Sequence, residues 1–205
     1  DNYSININIL NSNNKFIQGE IISRFLKTNL DIPQVNYSQI DGILNLKDKE
    51  TGSIFAIDKF WICIKDRKDL LFKKNLLPLK INLQIEKIGE YTFGNKKLTL
   101  KEVPKNEVLL NNDKGIEYFY FDKFPIVVNL RNWQEGDVIK PLGATGRMKV
   151  SDYLINNKIN TYDKNFIYVL AKDNEVIWIL NHQINDKYKI TKETKRFLQG
   201  KIVDL

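Results

Sequence analysis

The chain has 205 residues, long enough to bury a hydrophobic core and to form one or two domains. With 42% hydrophobic and 28% charged residues its composition is that of a globular protein, and no apolar run approaches the ~20 residues that a membrane span requires. The single cysteine, Cys63, excludes an internal disulfide and a multi-cysteine metal site.

The amino terminus, Asp1 to Ile5, has neither the basic start nor the apolar stretch of a signal peptide, so the expected location is the cytoplasm. A start at Asp rather than Met is what a piece of a longer product would show. Net charge is +7 and unevenly spread. Residues 59–80 hold seven basic and two acidic side chains, residues 131–205 thirteen and nine, while residues 1–58 are slightly acidic and 81–130 are balanced. One basic segment is therefore centred on Lys65, Arg67, Lys68, Lys73 and Lys74, and the other lies beyond Arg131. Such patches favour a polyanionic partner, or are the solvated surface of a lysine-rich protein.

In chain order, a helix is predicted over residues 16–29, where Ile17, Ile21, Ile22 and Phe25 recur at three- and four-residue spacing. Pro33 suits the entry to a second helix with Ile40, Ile43 and Leu44 on one stripe. From Thr51-Gly52 the period becomes that of strands. Residues 53–57 and 60–64 read as a hairpin split by Asp58-Lys59, and Asp69 to Phe72 as a third strand. Further strands are expected over 81–88, 97–103, 116–121 and 126–130, with turns at Gly94-Asn95 and at Asn111 to Gly115. A short helix fits Lys149 to Asn156. Strands at 166–171 and 175–180 then flank a tight turn at Lys172-Asp173-Asn174. The fold class is α+β, a short helical part followed by a strand-rich domain, with a division expected between residues 1–104 and 105–205.

The segment Gly143-Ala-Thr-Gly146-Arg147-Met-Lys149 precedes the short helix. Glycines let backbone approach a ligand, the first helical amides are unpaired donors, and cations at that end oppose the helix dipole, so Arg147 and Lys149 point to phosphate. The same spacing matches the GXXG loop of KH domains, but a KH fold wants a helix just before the loop, and residues 131–140 read as strand and turn. Arg131 and Asp137 flank a Gly136 turn, either as a salt bridge that sets the turn or, for Arg131, as an RNA contact. Trp133 reads as a packing residue. Lys187 and Lys189 would share one strand face, with Tyr188 and Ile190 on the other. Lys192, Lys195 and Arg196 would group on one side of a helical turn after Thr191. His182 is the lone histidine and reads as structural, Cys63 as an inert core thiol, and no acid–base pair, triad or zinc spacing emerges.

The order and spacing of Arg131-Asn-Trp133-Gln-Glu135-Gly136-Asp137, of Lys140-Pro141-Leu-Gly143 through Ser151-Asp152, of Val176-Ile-Trp178, of Ile184-Asn-Asp186-Lys-Tyr188-Lys189 and of Thr194-Lys-Arg196 resemble the carboxy-terminal domain of the tRNA(Ile)-lysidine synthetase family. That family is a group of ligases that use ATP to join lysine to the wobble cytidine of an isoleucine tRNA, changing AUG to AUA decoding. The resemblance implies a domain related to one in the phenylalanyl-tRNA synthetase β subunit, gripping the tRNA acceptor arm. It marks Arg131, Lys140, Arg147, Lys149 and Arg196 as RNA-facing, to which the charge pattern adds Lys187 and Lys189. The family's catalytic domain carries a serine-glycine-glycine phosphate loop, and this chain has no Gly-Gly pair. The resemblance thus implies no catalytic, cofactor or metal residue here, with ATP and magnesium belonging to an amino-terminal domain and the chain alone inactive. Where the family commonly shows Gly-x-Arg-Ile, this chain has Asn181-His182-Gln183-Ile184, one cation fewer. A freestanding RNA-binding module and a protein-interaction module are the alternative readings.

Overall fold

A computed structural model of the chain describes residues 3–109 and 113–205. The chain divides into two compact units, Asp1–Leu77 with Asn160–Tyr162, and Pro78–Ile159 with Asp163–Leu205. The expected turn at Asn111 to Gly115 falls partly outside the described residues.

In the first unit, β1 (Tyr3–Asn6) leads into α1 (Ile7–Asn11), α2 (Lys15–Asn29) and α3 (Tyr37–Leu46), then β2 (Ile54–Ala56), β3 (Trp61–Asp66) and β4 (Asp69–Lys74). Asparagines start all three helices. The side chains of Asn6, Asn14 and Asn36 accept hydrogen bonds from the amides of Asn8, Ile17 and Gln39, satisfying donors that the helix leaves unpaired. At α3 the Gln39 side chain accepts in return from the Asn36 amide at 3.0 Å, a capping box. That box begins the helix at Tyr37, so Pro33 stands ahead of the cap and not at the first helical position. The strands form an antiparallel sheet in the order β1-β4-β3-β2. Ile22, Leu26, Ile43, Cys63, Leu70 and Phe72 close the core between helices and sheet, each nearly or wholly buried. The 160–162 segment is held through Tyr162, whose hydroxyl donates to Lys74 O at 2.8 Å and accepts from Leu76 N at 2.9 Å.

The second unit contains β5 (Asn82–Ile85), β6 (Gly89–Phe93), β7 (Lys96–Val103), β8 (Ile116–Tyr120), β9 (Val128–Asn132), β10 (Val138–Ile139) and β11 (Met148–Lys149). Then come α4 (Val150–Asn156), β12 (Tyr168–Lys172), β13 (Glu175–Ile179), β14 (Gln183–Ile184) and β15 (Phe197–Asp204), with the one-turn α5 (Thr161–Lys164) before β12, its first two residues counted with the first unit. One sheet runs β11-β10-β13-β12-β9-β5 with β14 beside β13, and a second runs β6-β7-β15-β8. Only the β10–β13 contact among these described pairs is parallel. This is the α+β arrangement expected.

Alternation along β12 explains the layering. Tyr168 and Leu170 face the second sheet, joining Phe93, Leu98, Phe119 and Leu198, while Val169 and Ala171 face α4 through Val150 and Leu154. A bulge then shifts the pairing from Leu170↔Trp178 to Ala171↔Val176, leaving Ile177 as the extra residue, so Ile177 and Trp178 both reach the same core. Gly200 permits the close approach of the two sheets. A Cβ there would meet the rings of Phe119 and Trp178 at 3.0 Å. β15 is the strand on which the second sheet depends, pairing with β7 over eight positions and with β8 over five. Periodicity alone leaves this terminal segment unassigned. Its pairing with β7 also joins residues on either side of position 104.

Candidate nucleic-acid interface

Arg131 is buried, 6% exposed, and its guanidinium makes a two-pronged pair with Asp137 at 2.7 and 2.8 Å. It also donates to the carbonyls of Asn132 and Asp173, and Asp137 accepts from the Gln134 amide at 2.8 Å. Every charge here is matched inside the fold, so Arg131 holds the 132–138 turn and the 172–175 turn together. Its guanidinium is not presented to RNA. Trp133 is likewise a packing residue, donating its indole N–H to Lys164 O at 2.7 Å and resting on the α4 side of the sheet.

The Gly143–Lys149 loop does precede α4, but its amides are not a free cradle. The first helical amide, Val150 N, donates to Asp137 O at 2.9 Å, and Lys149 stands at the cap position without a side-chain bond to the helix. Gly143, at φ +74° in the left-handed region that favours glycine, aims its amide at Asp186 Oδ1 at 3.0 Å. What the loop exposes is side-chain charge. Arg147 and Lys149 are exposed and form no ion pair among the described residues.

The tail departs from its expected form. Lys187 and Lys189 do not share a strand face. Asn185 accepts from the Lys187 amide at 3.1 Å, and this side-chain bond winds Asp186–Tyr188 into a single 3₁₀ turn anchored by Tyr188, 2% exposed. Lys187 therefore reaches Glu175 at 3.0 Å, while Lys189 bonds Asp186 at 2.7 Å. No helical turn follows Thr191 either. The Thr194 hydroxyl accepts from the Thr191 amide at 2.8 Å, and Arg196 enters β15 paired with Glu102 at 2.7 Å and Asp122 at 3.4 Å, stacked 4.4 Å from the Phe121 ring. Those partners raise its pKa, Glu102 foremost, and fix the guanidinium at the surface, where its side chain is 52% exposed. Lys192 and Lys195 are exposed in the segment leading to it.

Folding assembles a different group. Arg147 and Lys187 line an open, polar cleft of about 570 Å³ together with Lys123 and Lys172, with Glu175 and Tyr188 at its wall. Lys123, before β9, and Lys172, at the end of β12, come from segments in which spacing marked no site. Four cations converge from four separate stretches, against the carboxylates of Asp173 and Glu175. The pair with Glu175 raises the pKa of Lys187, so that cation stays charged. Beside the cleft, Lys140 and Lys189 meet on Asp186, and the three donors around its carboxylate, Lys189 foremost, hold its pKa down at about 2. His182 is half-buried, and burial, with nearby Lys114, lowers its pKa.

No family model matches the chain. Among curated relatives, the tRNA(Ile)-lysidine synthase of Clostridium perfringens (strain 13 / Type A) is 30% identical over 175 residues, 78% of this chain and 37% of that protein. That of Parabacteroides distasonis is 32% identical over 167 residues, 77% of this chain and 36% of the relative. That of Caldanaerobacter subterraneus subsp. tengcongensis is 23% identical over 202 residues, 95% and 43%. The chain thus spans less than half the length of these relatives. Among solved structures, the crystal structure of the TILS C-terminal domain matches with a TM-score of 0.51 at 10% identity, covering 61% of this chain and 98% of that one, a likeness of fold. No helix among the described residues is long and apolar enough to cross a membrane. By sequence along most of its length and by fold, the chain belongs to the tRNA(Ile)-lysidine synthase family, as a counterpart of its carboxy-terminal region.

Proposed function

We propose that this chain is the tRNA-gripping, non-catalytic part of a lysidine synthase, holding isoleucine tRNA by its acceptor arm while the chemistry proceeds on a region outside these residues. The observation that carries the reading is the cleft where Arg147, Lys187, Lys123 and Lys172 meet. Cations drawn from four distant segments to one open surface fit a phosphodiester backbone, whose neutralisation releases counterions and dominates affinity. ATP and magnesium are assigned to the catalytic region of the full protein. Among the described residues no three histidine, cysteine or carboxylate side chains group as a metal-holding donor set.

The test is fluorescence anisotropy with labelled isoleucine tRNA across a salt series, with an unrelated RNA as control. Arg147→Ala combined with Lys172→Ala is expected to weaken binding and to flatten the log–log salt dependence by up to about 0.9 for each phosphate no longer neutralised. Superimposable curves for the variant and the parent would remove this cleft from the interface. Equal binding of both RNAs would favour a general RNA-binding module over a lysidine synthase arm.

A further inference from the structure

Asp186 stands at the junction of the glycine loop and two of the lysines beside the cleft. Its Oδ1 accepts from the Gly143 amide at 3.0 Å and from Lys189 Nζ at 2.7 Å, and Lys140 Nζ lies 3.4 Å from Oδ2. The backbone reinforces the junction: the Asp186 amide donates to Lys140 O at 2.7 Å, and Pro141 pairs with Asn185 in an isolated bridge. Asn185, 2% exposed, fastens the segment to β13 by donating its side-chain amide to Val176 O at 2.8 Å. The Asp186 side chain is 14% exposed, whereas those of Lys140 and Lys189 are 35% and 44% exposed. The anion is tucked behind, and the two cations reach solvent on either side of it.

Building on the phosphate-gripping reading above, we propose that Asp186 is a positioning residue for RNA, holding Lys140, Lys189 and the Gly143 turn as one preformed phosphate-binding edge without itself touching the RNA. The consequence has a sign that charge counting does not predict. Removing a carboxylate from a surface that meets a polyanion strengthens attraction if charge alone matters. Here the same removal frees two long side chains, which the RNA must then immobilise, and that ordering cost falls on affinity. The carboxylate's own repulsion is small by comparison, since it is neutralised by two ammonium groups within 3.4 Å and screened by salt beyond them. Three donors on one carboxylate also make its displacement by an incoming phosphate unfavourable, so it acts as a strut and not as a latch.

The experiment measures isoleucine tRNA binding by the 205-residue chain and its Asp186→Asn variant over a salt series, with circular dichroism to verify the fold. Asn keeps an oxygen for the Gly143 amide but releases the lysines. The variant is expected to bind about three- to tenfold more weakly and with a shallower salt slope. Tighter or unchanged binding by the folded variant overturns the positioning role and leaves the cleft reading standing. Absence of salt-dependent binding by the parent chain overturns both. If Asp186→Asn lowers the folded fraction, Lys140→Gln and Lys189→Gln carry the test. Each is expected to reduce the slope by about 0.9, and an unchanged slope in both removes the edge that Asp186 is said to hold.

Discussion

At the scale of single residues, burial decides role. Arg131 and Lys187 look alike in the sequence, as cations in a basic segment, yet one is sealed against Asp137 and the other reaches an open cleft. Truncating Arg131 would leave Asp137, 2% exposed, as an unpaired buried anion. Arg131→Ala is therefore expected to cost about 3–5 kcal/mol in urea unfolding, while Arg131→Met with Asp137→Leu costs much less. Equal losses in the two variants would contradict the pairing argument. Glu117 gives a pH-dependent case. Burial pushes its carboxyl up to about 7, outweighing the downward pull of Lys114. The folded state thus binds the proton more tightly than the unfolded chain. Its contribution to stability is fully present below the ordinary carboxyl range and is lost as pH rises through about 7. Glu117→Gln is expected to raise Tm by a few degrees near pH 8 and to change it little near pH 4, read by thermal melts at the two pH values.

Elements show how far pattern reaches. The helices near 16–29, 37–46 and 150–156 and the hairpin strands 61–66 and 69–74 follow apolar spacing closely, because each buries one face against a neighbour. The strands at 3–6, 89–93 and 197–204 were not legible. β15 reads Phe-Leu-Gln-Gly-Lys-Ile-Val-Asp, and its interior glycine breaks the strand pattern although the fold requires it beside Trp178. Gly200→Ala forces the Phe119 and Trp178 rings to give way and is expected to cost about 1–3 kcal/mol, measured by urea unfolding. A neutral result would mean that the sheets have room to part. The 3₁₀ turn at Asp186–Tyr188 was equally hidden, since one side-chain bond from Asn185 overrides an alternation that otherwise reads as strand.

For the molecule as a whole, the matched relatives are more than twice as long as the aligned stretch, and the chemistry of their name is proposed for the part beyond it. Supplied with ATP, lysine and isoleucine tRNA, the 205-residue chain alone is expected to form no lysidine. Mass spectrometry of the digested tRNA would detect the product if that expectation is wrong. The linear order of residues was enough to determine the family, the fold class and most helices, because motifs and amphipathic spacing are local properties written along the chain. The location and membership of the cationic cleft were decided only by the tertiary structure. Lys123, Arg147, Lys172 and Lys187 converge through strand pairing between distant segments, and Arg131 is withdrawn by the buried Asp137 carboxylate that folding places beside it. Whether a cation is spent inside the fold or left for a partner depends on which carboxylates fold next to it, and sequence distance carries no record of that.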